Sequence, residues 1–289
     1  MHRRSTLVAT LVTAVTLALA ACGSPAESPE PAESARPTRI VSLAPTATEM
    51  LYAIGAGKQV TAVDDQSNHP ADAPKTDLSG FKPNAEAIAA RNPDLVVLSN
   101  DTNTIVDQLK ALKIPVYLAP AAKTLDDTYR ELTDLGRLTG HDKEAAAVVS
   151  GMKSDIDTLA KGLPKRAKPL TYYWELDPTF YSATSRTFVG SILSLAGLTS
   201  IADSATDDYP QLSAEAVVKA NPDLIFLADT KCCQQSAATV AARPGWTEVA
   251  AVKNGRVYGL DDDIASRWGP RTVDLLRAVA DAVAKVPAA

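Results

Sequence analysis

Residues 85–98 read AEAIAARNPDLVVL, and residues 214–227 read AEAVVKANPDLIFL. The two stretches agree at 8 of 14 positions and lie 129 residues apart. Each predicts a short helix halted at Asn-Pro, because the residue before a proline is driven out of the α region. The apolar run that follows suits a strand covered on both faces. Two copies of one helix–strand unit predict two similar α/β lobes, and two lobes enclose a cleft. The repeat also sets one acid in each copy, Glu86 and Glu215. Asn84 and Ser213 are good N-caps, so both acids fall in first turns, where the helix dipole favours them by ~0.3–1 kcal/mol. That accounts for each acid singly but not for its recurrence; a partner with two basic sockets would account for both.

The pattern around the two units repeats as well. In the first half, a strand at 39–43 leads into a helix near 48–54, broken by Gly55 and Gly57, and a strand at 60–63. After a polar loop over 64–83 come the first unit, a helix near 104–112 and a strand near 115–118. The second half runs from a strand at 170–174 through an aromatic-rich loop to a helix near 188–196, stopped at Gly197. The second unit, a strand at 255–260 and a terminal helix at 272–285 complete it. Such alternation with short connections predicts mainly parallel sheets flanked by helices. Between the halves, a helix at 125–139 precedes a longer one at 142–161, whose Val149, Met152, Ile156 and Leu159 form one stripe. Its position makes it a candidate spine between lobes.

The first residues carry a different message. Met1–Arg4 is short and basic, and residues 7–21 are apolar and uncharged. Fifteen such residues fall short of the about 20 that span a bilayer, and fit a secretory signal better. The segment ends Leu19-Ala20-Ala21-Cys22-Gly23, similar to a bacterial lipobox, which makes Cys22 the expected lipidated first residue of the mature chain. Residues 23–37 are almost all Pro, Ala, Glu and Ser with little to bury, as expected of a disordered tether. At about 3 Å per residue it would reach roughly 45 Å from the membrane. The expected organisation is a signal peptide at 1–21, a tether at 22–37, an N-terminal α/β lobe at 38–140, a linking helix at 141–163 and a C-terminal α/β lobe at 164–289. The expected location is extracytoplasmic, anchored to the cell membrane by lipid.

Composition narrows the function. The formal charge is −5, and without Arg3 and Arg4 it is −7, 27 basic against 34 acidic side chains. No basic stripe interleaved with aromatics is present, so nucleic acid is not an expected partner. Beyond Cys22 the only cysteines are the adjacent Cys232 and Cys233, which could form a vicinal disulfide in an oxidising compartment or stay as two buried thiols. Beyond the signal segment only His69 and His141 remain, and no nucleophile elbow, phosphate-binding glycine loop or His-Glu-x-x-His is found. An enzyme is not expected, and two scattered histidines are too few for a zinc or manganese site. Asp261-Asp262-Asp263 could attract a hard cation but reads more simply as a solvated loop.

A ligand cleft fits better. The C-terminal ends of parallel strands face the crevice of an α/β fold. Here those ends carry Ala44-Pro45-Thr46, Asp64-Asp65-Gln66, Asn100-Asp101, Glu175-Leu176, Thr230-Lys231 and residues 261–268, which include Asp263, Ile264, Arg267 and Trp268. Trp174, Phe180, Tyr181, Tyr209 and Trp268 gather in or near second-half loops, in a chain with only 5% aromatics. Two or three of the five are expected against a ligand.

Three features together, RIVSLAPTATEMLYAIGAG (residues 39–57), the two Ala-Glu-Ala…Asn-Pro-Asp-Leu units and ASRWGPR (residues 265–271), resemble the substrate-binding lipoproteins of ABC importers in the iron-siderophore and cobalamin class. The resemblance runs from about Arg39 to the C-terminus. It implies the class III periplasmic-binding-protein fold: two Rossmann-like lobes, mainly parallel sheets, one long connecting helix and little hinge closure. It implies a monomer working with an ABC permease and its ATPase, with one glutamate per lobe docking on permease arginines, at the positions of Glu86 and Glu215. No cofactor is implied, the ligand itself being a cobalt or iron chelate. The opening and the Arg267 region are similar to cobalamin binders, yet Gln66 and Ile264 stand where that type offers aromatics, leaving Trp174 and Trp268 to stack. Anionic catecholate siderophores would need more cations than Arg186, Arg267, Lys82 and Lys231 supply. A neutral, bulky chelate, cobalamin or a ferric hydroxamate, is the expected ligand. The alternative is an extracytoplasmic lipoprotein enzyme or a ligand-sensing receptor on the same fold.

Overall fold

Runs such as IVSL, LVVL and LIFL can bury both faces at once, and in the computed structural model each is fully buried. The structure describes residues 36–287. The segments read as a signal peptide, as the lipidated Cys22 and as nearly all of the tether lie outside the described residues.

The first half builds β1 (Ile40–Leu43), α1 (Pro45–Ala53), β2 (Val60–Val63), α2 (Ala85–Ala89), β3 (Leu95–Leu98), α3 (Ile105–Ala111) and β4 (Val116–Leu118). Two helices follow, α4 (Leu125–Thr139) and α5 (Asp142–Gly162). The second half builds β5 (Leu170–Glu175), α6 (Phe188–Leu195), β6 (Leu198–Ser200), α7 (Ala214–Ala220), β7 (Leu224–Leu227), α8 (Ala237–Ala241), α9 (Ala250–Lys253), β8 (Val257–Gly259), α10 (Asp262–Ser266) and α11 (Thr272–Ala284). Each half forms a parallel four-stranded sheet with the same strand order, β2-β1-β3-β4 and β6-β5-β7-β8. The expected class, two α/β units with parallel sheets and a long helix between them, is the observed one.

Local rules explain the boundaries. α1 starts at Pro45, three residues before the expected Thr48, because a proline in the first turn lacks only an N–H that would have no partner. Gly55 (φ 87°) and Gly197 (φ 72°) follow α1 and α6 at equivalent places, each in the left-handed region that glycine enters freely. The repeat helices are capped as their sequences predict: Asn84 Oδ1 accepts from Ala87 N at 2.9 Å and Ser213 Oγ from Ala216 N at 3.1 Å. Both pre-proline asparagines escape the α region by a left-handed backbone, Asn92 at φ 50° and Asn221 at φ 49°.

The aspartate after each Asn-Pro has a job the sequence does not disclose. Asp94 accepts from Thr38 N (3.0 Å) and Arg39 N (2.8 Å), while its own N–H donates to Arg39 O at 3.0 Å. Asp223 accepts from Thr171 N at 2.8 Å, and its N–H donates to Thr171 O at 3.0 Å. Each aspartate thus ties the start of a repeat strand to the start of the neighbouring strand.

Alternation along the strands divides the interior. Val41, Leu43, Val96 and Leu98 pack outward on α2 and α3, and Tyr173, Ile225 and Leu227 pack outward on α7, α8 and Trp246. The opposite faces meet in one continuous core that runs from Ile40 and Val97 through α4, α5 and α11 to Tyr172, Trp174 and Phe226. Met152 and Ile156 of α5 are buried in it, with Val149 and Leu159 packed against it, so the expected stripe is the spine's contact with both halves.

The halves are also joined by charge. Glu49 on α1 is 3% exposed and accepts from Arg267 Nη1 (2.7 Å), Arg271 Nε (2.8 Å) and Arg271 Nη2 (2.5 Å). Asn68 Nδ2 donates to Asp263 Oδ2 at 2.9 Å across the same junction.

Two stability outcomes follow from these ties. Asp94→Ala and Asp223→Ala should each cost about 1–3 kcal/mol by urea unfolding at pH 7. Partial burial pushes the Asp94 carboxyl up, but the amides of Thr38 and Arg39 outweigh it and the net shift is downward. Its contribution is therefore present above the ordinary carboxylate range near pH 4 and fades as pH falls through it, so wild type and Asp94→Ala should converge in acid. Glu49→Ala leaves the Arg271 guanidinium without its carboxylate partner and takes one of two from Arg267, and should cost about 3–5 kcal/mol, measured the same way.

Candidate functional site

The C-terminal ends of β1, β3 and β4 open into a cavity of about 430 Å³, closed on its other side by α10 and the residues after it. Pro45, Thr46, Ser99 and Ala119 come from the first half, and Asp263, Arg267 and Trp268 from the second. Phe81 stands at the rim, 73% exposed. Its loop passes so close to β1 that only glycine fits at position 80, where a Cβ would lie 2.6 Å from Leu43 O. A second cavity, of about 420 Å³, is lined by Tyr117, Leu118, Lys123, Asp127, Arg130 and Asp134, and Glu131 lines both.

Trp268 is held at two points by α4. Its carbonyl accepts from Thr128 Oγ1 at 2.8 Å, and its Nε1 donates to Glu131 Oε2 at 3.2 Å. Thr128 and Glu131 are three residues apart and so share a helix face. Burial pushes the Glu131 carboxyl up to about 7; the indole and Arg130 oppose this, and Asp127 and Asp134 add to it.

Arg267 is 10% exposed, and its guanidinium is occupied. Besides Glu49, Nη1 donates to Asn68 Oδ1 (3.0 Å), and Nη2 donates to Gln66 O (3.0 Å) and Asp263 Oδ1 (2.8 Å). A guanidinium has five N–H donors, and the four on Nη1 and Nη2 match these four acceptors. Two of the other cations considered for an anionic ligand are engaged too. Arg186 Nε donates to Asp208 at 2.9 Å, and Lys231 Nζ pairs with Asp261 (2.7 Å) and Asp263 (2.9 Å). Lys82 is exposed.

The acidic run is not a solvated loop. Asp261 caps α10, accepting from Asp263 N at 2.9 Å. Asp262 accepts from Thr230 Oγ1 (2.8 Å), Lys231 N (3.0 Å) and Cys232 N (2.9 Å) and thereby fixes the loop in which Cys232 and Cys233 are disulfide-bonded. The reading as a loop fails because a capping aspartate followed by DDIAS starts a helix even one turn long.

Of the residues expected at the ligand, Asp263, Arg267 and Trp268 line the first cavity. Gln66 is exposed and contributes its carbonyl to Arg267; Ile264 packs against the core. Trp174 is a correction. It is fully buried on β5 beside Phe226, at 6.2 Å between ring centroids, because its pleat face turns to the shared core and not to the strand end. Phe180 stacks on Trp246 at 5.9 Å, while Tyr181 and Tyr209 are 41% and 50% exposed and line neither cavity. Sequence reasoning missed Phe81 and Glu131. Glu131 carried a signal, an acid on the same α4 stripe as the buried Thr128 and Leu135.

Glu86 and Glu215 are exposed in the first turns of α2 and α7, and among the described residues neither has an ion-pair partner. The Glu215 carboxyl is held below its usual value, first by its own backbone N–H and then by the Ser213 hydroxyl.

Comparison with known proteins places this architecture. The sequence matches the family described as periplasmic binding protein over residues 40–264. It is 29% identical to the uncharacterized ABC transporter substrate-binding lipoprotein YvrC of Bacillus subtilis, over 98% of each chain. It is 30% identical to a cobalamin-binding protein of Halobacterium salinarum, over 91% of this chain and 75% of that one. Among solved structures, the periplasmic vitamin B12 binding protein BtuF of Vibrio cholerae superposes with a TM-score of 0.71 at 26% identity, covering 86% of this chain and 97% of the other. A matched segment that takes in both sheets settles the assignment: the chain belongs to the periplasmic binding protein family.

Proposed function

We propose that this protein is the lipid-anchored receptor of an ABC importer, and that it captures a bulky metal chelate, cobalamin or a ferric hydroxamate, and delivers it to a membrane permease. The observation that carries the reading is the cavity between the two halves at the strand C-terminal ends, where Trp268 is fixed by α4 and offers an aromatic wall. The names of the relatives, an ABC transporter substrate-binding lipoprotein and two binders of cobalamin or vitamin B12, support the ligand class. So does the state of the cations: with Arg267, Arg186 and Lys231 all bonded, nothing on the cavity wall is arranged to neutralise a polyanion. The shared core and the Glu49 clamp support a receptor whose halves move little on binding.

The reading extends to the membrane. Cys22 carries the lipid, the segment after it is the tether, and Glu86 and Glu215 are the two points that dock on permease arginines, the ATPase acting from the other side. The free receptor is a monomer. Docking is supported by the placement of the two acids at matching first turns of the repeat, exposed and without ion-pair partners among the described residues.

Of the three tryptophans, Trp174 and Trp246 are fully buried and only Trp268 faces the cavity. Cyanocobalamin or a ferric hydroxamate at micromolar concentration should therefore quench fluorescence mainly through Trp268, and Trp268→Phe should remove most of the response; silence toward every chelate would sink the ligand claim. Replacing both Glu86 and Glu215 by alanine should abolish uptake in cells while chelate affinity stays unchanged. Normal uptake by that double variant would exclude the docking role.

A further inference from the structure

The two cavities meet at one side chain. Glu131 is 6% exposed, is the one residue common to both linings, and has Oε2 fixed by the Trp268 indole. Its Oε1 has no hydrogen-bond partner among the described residues. The other charged groups on the first cavity are saturated. Asp262 holds the cysteine loop, Asp263 holds Lys231, Asn68 and Arg267, and Arg267 holds Glu49, Asp263, Asn68 and Gln66. Three acids and one cation line that cavity, and of these only Glu131 keeps a carboxylate oxygen without a partner among the described residues.

Resting on the reading of this cavity as a chelate site, we propose that Glu131 makes it selective for a chelate of net positive charge and excludes anionic chelates such as haem. The carboxylate is buried, pre-positioned by the indole and left with one free acceptor, the arrangement that recognises a cation or an ammonium N–H donor. An anionic chelate would meet the open oxygen of Glu131 and find Arg267 already shared among four acceptors.

The groups facing Glu131 are Asp127, Arg130 and Asp134 on its own helix, Tyr117 from β4, Lys123 before α4, and Asp262, Asp263, Arg267 and Trp268 across the cavity. With its carboxyl pushed up to about 7 by burial, Glu131 is partly protonated at neutral pH. A cation prefers the ionised form, so its affinity should rise as pH climbs from 6 to 8.

The test titrates the full-length protein with two chelates of one scaffold, ferrioxamine B, which carries an ammonium group, and its uncharged N-acetyl derivative. Aquocobalamin and cyanocobalamin form a second pair at pH 7, and haemin is the anionic probe. The cationic member should bind about tenfold tighter at pH 8, and the ratio should shrink toward pH 6. In Glu131→Gln, with folding checked by thermal melting, the two members should bind equally at both pH values. Trp268→Phe, which removes the indole donor but keeps the carboxylate, should move the pH profile upward without erasing the preference. Equal affinities in the wild type, a preference that survives Glu131→Gln, or haemin binding more tightly than either member would overturn the proposal and leave the chelate reading standing. If no member of either pair binds, both readings fall together.

Discussion

The carboxylate of Glu49, buried between Arg267 and Arg271, is the constraint on which the cleft depends. It lies on the first helix of the chain and its partners lie more than two hundred residues later, so their meeting fixes one half against the other. Buried charges are costly to desolvate, and such a cluster holds only if every donor and acceptor is matched. Here the match is close: one carboxylate accepts from two guanidinium groups, and Arg267 divides its remaining donors among Asp263, Asn68 and Gln66. Any change in the distance between the halves would break several of these bonds at once. Together with the apolar core that passes through α5, the clamp makes the cleft a pre-formed container.

That same clamp decides the chemistry of the container. A guanidinium facing a cavity is ordinarily read as an anchor for an anionic ligand, but Arg267 is spent on holding the two halves together. The acids of α10 are similarly divided between Arg267, Lys231 and the cysteine loop. What is left facing the ligand space is mostly small or apolar, Ala44, Pro45, Ala119, Phe81 and Trp268, with Glu131 as the acid whose second oxygen is unbound. The surface therefore suits a bulky ligand recognised by shape and stacking, with polarity concentrated at one point.

The helices and strands were readable wherever one local rule governed. α4 has the bounds its Thr124 cap and periodicity predict, and the repeat helices are capped by Asn84 and Ser213 as read. Reading failed where the outcome depended on which way a strand's pleat faces. Trp174 is an aromatic near a strand end, a fair candidate for a ligand wall, yet its side chain lies on the face that closes the shared core. It failed again where long-range partners changed the meaning of a charged residue: besides capping α10, the Asp261–Asp263 run anchors a loop and forms three ion pairs, and Thr230, Lys231 and Cys232 are not visible from the run itself. Glu131 was overlooked because a mid-helix acid is ordinarily solvated, and only the packing of Trp268 over it shows otherwise.

The amino-acid sequence by itself determined the class of fold and its duplication. Helix caps, pre-proline stops and both-face-apolar strands act within a few residues, so a linear reading suffices for them. It also determined the matching positions of Glu86 and Glu215, since equal placement in a repeated unit is a property of the string. The tertiary structure alone decided which side chains face the cleft, that Arg267 is occupied, and that one carboxylate sits at the junction of two cavities. The reason is physical: burial, desolvation and charge pairing depend on neighbours brought together from distant parts of the chain, and no local pattern records who those neighbours are.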